Sequence, residues 1–258
     1  MKLVNRTVLI TGGTSGIGFE LAGQLLQRGN VVIVTGRNQN RLADAQRAHP
    51  GLHTFNSDVS DSRAIAVLHD NVVAQFPALD VLINNAGIMR NLDLQHDRDL
   101  TDVTREIEIN FSGPVRMIQQ FLPHLKTRKD ALIVNVSSGL AFIPMPISPV
   151  YCGTKAAIHS YSQSLRVQLE NTSVSVVELA PPGVETPLFR GEFAEELKGQ
   201  KGMNVTVLAK RAIASIESGK SEIRPGLANV LKIMSRIAPH FMFGQLAKVG
   251  RPPRKAEG

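Results

Sequence analysis

The stretch Thr7-Val8-Leu9-Ile10-Thr11-Gly12-Gly13-Thr14-Ser15-Gly16-Ile17-Gly18, running on into Phe19 to Arg28, decides how this chain folds. Thr7 to Thr11 is a short, apolar, β-branched run of the kind that makes a buried strand. Phe19 to Arg28 carries apolar residues at helical spacing. Between them, glycines permit positive φ and close backbone approach. Strand, turn and helix together present backbone N–H groups at a helix N-terminus, which suits a phosphate. The spacing is Gly-x-x-x-Gly-x-Gly, not the Gly-x-Gly-x-x-Gly of the dinucleotide fingerprint. A glycine cluster alone also serves a plain tight turn, but its place directly after the first strand favours a cofactor.

Working outward, Asn30 to Thr35 is a second strand. An acid about twenty positions after the glycine turn would accept hydrogen bonds from a ribose 2′-hydroxyl. Here the first acid is Asp44, and Arg37 stands at the strand end with Arg41 one helical turn on. A guanidinium suits a 2′-phosphate, which favours NADP(H), with NAD(H) the second candidate. The plainer reading of Arg37 is a solvated loop charge. Leu52 to Asn56 reads as a third strand leading to Asp58-Val59, where Asp58 is an acceptor for adenine or a turn residue. Ser60-Asp61 caps a helix over residues 61–75. Leu79 to Ile83, a fourth strand, closes on Asn84-Asn85-Ala86-Gly87.

Residues 101–127 form one long helical pattern interrupted by Pro114. Proline has no N–H, so the carbonyl of Asn110, four residues earlier, is left free to hold a water or another donor. Ala131 to Val136, Ser173 to Leu179 and Ser221 to Ile223 supply three more strands. Strand and helix alternate without a linker or repeat. The expectation is a single α/β domain over residues 1–258, a doubly wound Rossmann fold with a mostly parallel seven-stranded sheet flanked by helices.

The segment Ser138 to Lys155, SGLAFIPMPISPVYCGTK, leaves the fifth strand, crosses a Pro- and Gly-rich loop and enters a helix at Val150. Tyr151 and Lys155, four apart, project side by side. An ammonium beside a phenol favours the phenolate and lowers its pKa from about 10, which makes the pair a proton donor and acceptor. Ser138 adds a hydroxyl at the strand end. Against this, Tyr–Lys pairs four apart are common and often only decorate a helix surface.

Composition is that of an ordinary globule, with 43% hydrophobic and 20% charged residues. The single cysteine, Cys152, excludes an internal disulfide and a Cys-based metal cluster, and no metal site is expected. No apolar run reaches the roughly 18–20 residues that span a membrane, and the N-terminus has no signal-peptide pattern, so the expected location is cytoplasmic. Residues 220–258 hold eight Lys or Arg against two Glu, most of the net charge of +7. The high charge therefore belongs to a tail and not to a nucleic-acid-binding fold. Residues 186–203 have the mixed composition of a mobile substrate lid. Residues 225–245 are amphipathic, and three readings stand for them: packing on the body or a partner subunit, a pocket wall, or weak membrane-surface association. Residues 249–258 are expected to be a disordered tail.

Taken together, Thr11-Gly12-x3-Gly16-x-Gly18, Asp58, Asn84-Asn85-Ala86-Gly87, Asn110, Ser138 and Tyr151-x3-Lys155 resemble the short-chain dehydrogenase/reductase superfamily over residues 4–225. The double proline and basic C-terminus further resemble a bacterial branch labelled DltE-like oxidoreductases. The resemblance implies a catalytic set of Asn110, Ser138, Tyr151 and Lys155. Tyr151 would be the general acid or base, Ser138 would hold the substrate oxygen, and Lys155 would bind the nicotinamide ribose. The Asn110 carbonyl would hold a relay water. Gly12, Thr14, Ser15, Gly16, Ile17 and Gly18 would line the phosphates, Asp58 and Val59 the adenine, and Asn85, Ala86 and Gly87 the ribose. Arg37 would select NADP(H), and Val184 and Thr186 would hold the carboxamide. The chain departs from Pro-Gly-x-Val-x-Thr by placing Pro182 in the glycine slot. The implied activity is reduction of a carbonyl or oxidation of an alcohol. A non-catalytic NADP(H)-sensing protein of the same fold is the alternative, and it has no use for an intact proton donor. The resemblance also implies a homodimer or homotetramer through residues 101–127 and 151–170, whose outer faces are expected to carry Met117, Phe121, Leu165 and Val167.

Overall fold

The apolar runs become strands and the amphipathic runs between them become helices in a computed structural model that describes residues 1–249. In chain order the first half contains β1 (Thr7–Thr11), α1 (Gly16–Gln27), β2 (Val31–Gly36), α2 (Gln39–Ala48), β3 (Leu52–Asn56), α3 (Ser62–Gln75) and β4 (Leu79–Asn84). Two short helices follow, α4 (Leu100–Val103) and α5 (Arg105–Ile107), then α6 (Gly113–Lys126), β5 (Ala131–Val136), α7 (Pro149–Gln168) and β6 (Val174–Leu179). The chain closes with α8 (Pro187–Arg190), α9 (Val205–Glu217), β7 (Glu222–Ile223), α10 (Leu227–Ile237) and α11 (Pro239–Leu246). Nine of the ten positions expected as a disordered tail, residues 250–258, lie outside the described residues.

The sheet order is β3-β2-β1-β4-β5-β6-β7. Every pairing is parallel, because each strand returns through a helical crossover and never through a hairpin. β1, β4 and β5 are buried along their whole length, as strands covered on both faces must be. One core lies under α1 and α9, where Leu21 and Leu25 meet Leu208 and Ile213. The other lies under α3, α6 and α7 and is filled by Leu68, Met117, Phe121 and Leu165. Strand order reverses between β1 and β4, which opens a crevice at their C-terminal ends.

Two expectations need correction. The long helix expected over 101–127 is broken: α4 and α5 give way to a π-helical turn at Glu108–Ser112, and α6 restarts at Gly113 with Pro114 in its first turn. Pro114 can donate to neither the carbonyl of Asn110 nor that of Ile109, so the wide turn ends there and the helix resets its register. Pro114 is thus a helix-start proline and not a mid-helix kink. The second correction concerns the outer faces of α6 and α7. Met117, Phe121 and Leu165 point into the sheet and are buried, leaving Val167 as the exposed member of that set, at 64%. Helical spacing identified an apolar stripe, but the sheet claims it.

Phe121 is fully buried and packs edge-on against His69. Phe121→Ala should cost about 3–5 kcal/mol in urea unfolding. The folded fraction should keep the association state of the parent in size-exclusion chromatography.

Candidate active site

The glycine turn is built to let two loops touch. Gly12 and Gly16 have φ of +65° and +56°, in the region where a side chain is strained. A Cβ on Gly12 would lie 2.8 Å from the Cα of Ala86, and one on Gly18 would lie 2.4 Å from Nδ2 of Asn85. That approach is held by hydrogen bonds. Asn85 Nδ2 donates to the carbonyls of Thr11 and Gly12, both at 3.0 Å. Thr11 Oγ1 accepts from the backbone N–H of Asn85 and of Ala86, again at 3.0 Å. The Asn84–Gly87 loop is therefore clamped to the turn, with Thr11, which composition alone did not single out, as the hinge pin. Ser15 precedes α1 without capping it through its side chain, so the first-turn N–H groups keep no side-chain acceptor.

These parts surround a cavity of about 690 Å³. Gly12, Thr14, Ser15, Gly16 and Ile17 form one wall, and Asn85, Ala86 and Gly87 another. Arg37, Asp58 and Val59 border one end, together with Arg41. Tyr151, Lys155 and Thr186 border the other. Gly18 supports the turn from behind. A phosphate-bearing nucleotide fits this cradle: the turn has no Cβ to block approach, and donors face the opening.

Arg37 and Asp58 meet across the cavity edge, with Nη1 3.3 Å from Oδ2. Burial pushes the Asp58 carboxyl up, but the Ser60 N–H and hydroxyl, with Arg37, outweigh it and leave the group below its ordinary value. Asp58 is thus an ionised acceptor, already partly engaged by the arginine.

Tyr151, Lys155 and His159 recur every four residues along α7. Lys155 is buried and its Nζ donates to the Val136 carbonyl at 2.8 Å, 5.5 Å from the centre of the Tyr151 ring. The expected depression of the tyrosine pKa is not what these surroundings produce. Burial dominates and pushes the phenol above its ordinary value, with Ser138 pulling the other way. The same burial pulls Lys155 down to about 8. Both groups shift toward their neutral forms, as desolvation requires. Ser138 Oγ accepts from Leu140 N–H at 3.1 Å, which leaves its own proton free to donate.

Asn110 is buried, and its side chain is spent on structure. Oδ1 accepts from Ile88 N–H at 2.9 Å, and Nδ2 donates to the Ile88 carbonyl at 2.8 Å and to Thr154 Oγ1 at 3.2 Å. A Cβ on Gly87 would lie 3.2 Å from Asn110 Oδ1 and 3.6 Å from Lys155 Nζ, so three candidate residues converge there.

Pro182 leaves the loop after β6 intact. Prolines 181 and 182 offer no N–H, so the loop is held through its carbonyls: Gly139 N–H donates to Pro181 at 2.8 Å and Met203 N–H to Gly183 at 2.8 Å. Val184 forms a parallel bridge with Met203, and Thr186 caps α8 by accepting from Phe189 N–H. Beyond α8, Phe193 and Leu197 are buried against Met145, Tyr151 and Cys152. Glu192 and Glu196 accept from the backbone and side chain of Asn91, fastening residues 186–203 across the opening.

A family profile described as short chain dehydrogenase matches residues 6–197. An "uncharacterized oxidoreductase DltE" of Bacillus subtilis is 41% identical over 247 residues, 95% of this chain and 98% of that protein. The chain belongs to the short-chain dehydrogenase family. It is thereby an oxidoreductase of the NAD(P)-dependent short-chain type. A Burkholderia cenocepacia short chain dehydrogenase solved with NADP shares the fold at TM-score 0.82 and 23% identity, over 98% of this chain and all of that one. A Burkholderia phymatum short chain dehydrogenase/reductase solved with NAD shares it at TM-score 0.81 and 19% identity, over 99% of this chain and all of that one.

This short-chain dehydrogenase also contains buried polar groups that sequence reading missed. Glu178, fully buried on β6, accepts from Ser137 Oγ at 2.5 Å and lies 2.7 Å from His159 Nδ1. Lys232 Nζ of α10 lies 2.9 Å from His159 Nε2. Glu178, His159 and Glu222 have ligand-type atoms within 4.8 Å of one another, but the Lys232 ammonium stands among them as the balancing cation. Asn84, Asn135 and Ser162 form a second buried chain linking β4, β5 and α7. None of these pairs has a sequence spacing that announces it.

Glu106 on α5 is also fully buried. Its Oε1 accepts from Arg90 N–H at 3.0 Å, and among the described residues its Oε2 has no partner. Burial pushes its carboxyl up from 4.5 to about 7, against the pull of Arg90. The folded chain therefore keeps a proton that the unfolded chain loses, and this contribution to stability falls as pH rises from 4.5 to about 7. Glu106→Gln should flatten that part of the profile. Its unfolding midpoint should gain on the parent progressively across the window, read by urea titration at a series of pH values.

Proposed function

We propose that the protein is an NADP(H)-dependent oxidoreductase that interconverts a carbonyl and an alcohol by hydride transfer, with Tyr151 as general acid and base. The observation that carries this is the meeting of Tyr151, Lys155 and the glycine turn on one cavity, with Ser138 against the Tyr151 phenol. The bound nicotinamide supplies the hydride, and the chain binds, orients and manages the proton. Ser138 holds the substrate oxygen with the proton that Leu140 leaves free. Tyr151, kept protonated through the neutral range by burial, gives its phenolic proton to that oxygen during reduction. Lys155, brought to about 8, is still mostly an ammonium at neutral pH and stabilises the phenolate left behind. The carbonyl that Pro114 cannot engage, at Asn110, holds the water through which the proton is replaced.

Support for NADP(H) comes from Arg37, which stands beside Asp58 and Arg41 at one end of the cavity where a 2′-phosphate would lie. Proteins of the same fold were solved with NADP and with NAD, so the preference rests on this arginine. Residues 186–203 act as the substrate lid, and Phe193, Leu197 and Met145 beside Tyr151 favour a partly apolar carbonyl compound. A cytoplasmic location and assembly into a homodimer or homotetramer complete the reading; among the described residues no helix is long and apolar enough to cross a membrane.

Tyr151→Phe should lower kcat for a reducible ketone or aldehyde at least about a hundredfold, while titration of NADPH fluorescence gives nearly the parent affinity. Near-normal turnover by this variant would sink the catalytic assignment. Arg37→Ala should weaken NADPH binding roughly ten- to a hundredfold, the loss of one charge-assisted contact, and leave NADH binding nearly unchanged. Equal losses for both cofactors would remove the case for NADP(H).

A further inference from the structure

The C-terminal helices are used on one side only. Ala228 and Leu231 of α10 pack on the turn that follows Ser138, where a Cβ on Gly139 would lie 3.2 Å from each. Lys232 turns inward to His159. On the outward side Leu227, Val230, Ile233 and Ile237 are exposed, and Phe241 and Phe243 continue the exposure along α11. Ile237 and Phe241 reach 73% and 60%, far from any packing role among the described residues. These residues are six of the fifteen large hydrophobics that the described chain exposes, gathered on two consecutive helices.

Charge decides what covers them. Arg224 is paired with Glu222 and Lys232 turns inward, whereas Arg236 and Lys248 are exposed, and no Asp or Glu lies between Ile223 and Val249. A second copy docking on the same face across a two-fold axis would bring these exposed cations toward their own counterparts, with no acid on α10 or α11 to pair them. An anionic bilayer surface complements both features, taking the apolar stripe into the acyl boundary and the cations at the headgroups. Neither helix is long and apolar enough to cross the bilayer, so they would lie along it. Val249, three residues past the end of α11, packs on the cluster that holds Met145, Tyr151 and Phe193, so this face adjoins the mouth of the cleft.

We infer that α10 and α11 form a docking face for an anionic lipid surface, on which the protein sits with its cleft mouth beside the bilayer. The full-length protein is tested by co-sedimentation with vesicles of phosphatidylglycerol and phosphatidylcholine, against vesicles of phosphatidylcholine alone. The Ile237→Glu, Phe241→Glu double variant serves as the control, since both side chains are exposed and outside the active site. The expected result is sedimentation with the anionic vesicles only, reduced at least tenfold in partition coefficient by the double variant. NADPH fluorescence titration should give the same affinity for both proteins, which separates this outcome from misfolding. Absence of sedimentation with anionic vesicles, or sedimentation that the double variant leaves unchanged, overturns the inference. So does light scattering that shows a dimer dissociating in the double variant without vesicle binding in the parent, because a second copy would then be the occupant. Failure on these readouts leaves the Tyr151 assignment untouched.

Discussion

The site depends first on two missing carbon atoms. At Gly12 and Gly18 a Cβ would lie inside the contact distance of Ala86 and Asn85, so only glycine lets the end of β1 reach the end of β4. Once the two loops touch, Asn85 and Thr11 close four hydrogen bonds across the gap. Backbone donors and acceptors that would otherwise be unpaired next to a cavity are satisfied by this exchange. The crevice of a doubly wound sheet exists wherever strand order reverses. Here its floor is a polar clamp, and the loop of small residues it holds also rests on the core through Ala86.

The second governing effect is desolvation. Tyr151 and Lys155 on α7 and Glu106 on α5 share one influence, for burial is the largest on each. Each moves toward its neutral form. The sequence suggested the opposite for Tyr151, because four-residue spacing on a helix promises a near ammonium and says nothing about how dry the site is. With Nζ directed at the Val136 carbonyl, the ammonium acts across the ring and not on the phenol oxygen itself. Such a pair suits proton donation, since the acid form dominates until charge develops on the oxygen. In a dry site that charge interacts strongly with a fixed ammonium, so the same burial that raises the ground-state pKa also magnifies the help Lys155 gives once the proton has left.

What was legible in the chain was local. The strand–turn–helix unit, the cap at Asp61 and the i, i+4 pair on α7 all follow from residues within a few positions of one another, and the structure shows each of them. What was illegible was pairing at long range. Thr11 with Asn85, Asn110 with Ile88 and Ser137 with Glu178 are separated by 74, 22 and 41 positions, and each uses a residue type that is common in loops. Orientation was the other blind spot. The apolar stripe of Met117 and Phe121 was seen, but periodicity does not tell which neighbour will cover it. Pro114 was read correctly as a missing donor and wrongly as an interruption within one long helix, since an isolated proline does not reveal that the helix before it has already widened.

The Glu178–His159–Lys232 chain shows how the last helices belong to the site although they lie beyond its motifs. An ammonium has no acceptor, so Nε2 of His159 must accept from Lys232, and Nδ1 then carries the proton toward Glu178. The imidazole thus links a cation on the surface helix to a carboxylate with no solvent exposure. A buried charge without such balance is costly. Glu178 in turn holds the hydroxyl of Ser137, the residue that joins β5 to Ser138. The basic, amphipathic character of α10 therefore has two separate physical origins. Lys232 faces inward to balance a carboxylate at the foot of the active-site loop, while the apolar stripe faces outward and is left exposed among the described residues. One helix answers both demands because its 3.6-residue period places the two sets on opposite sides.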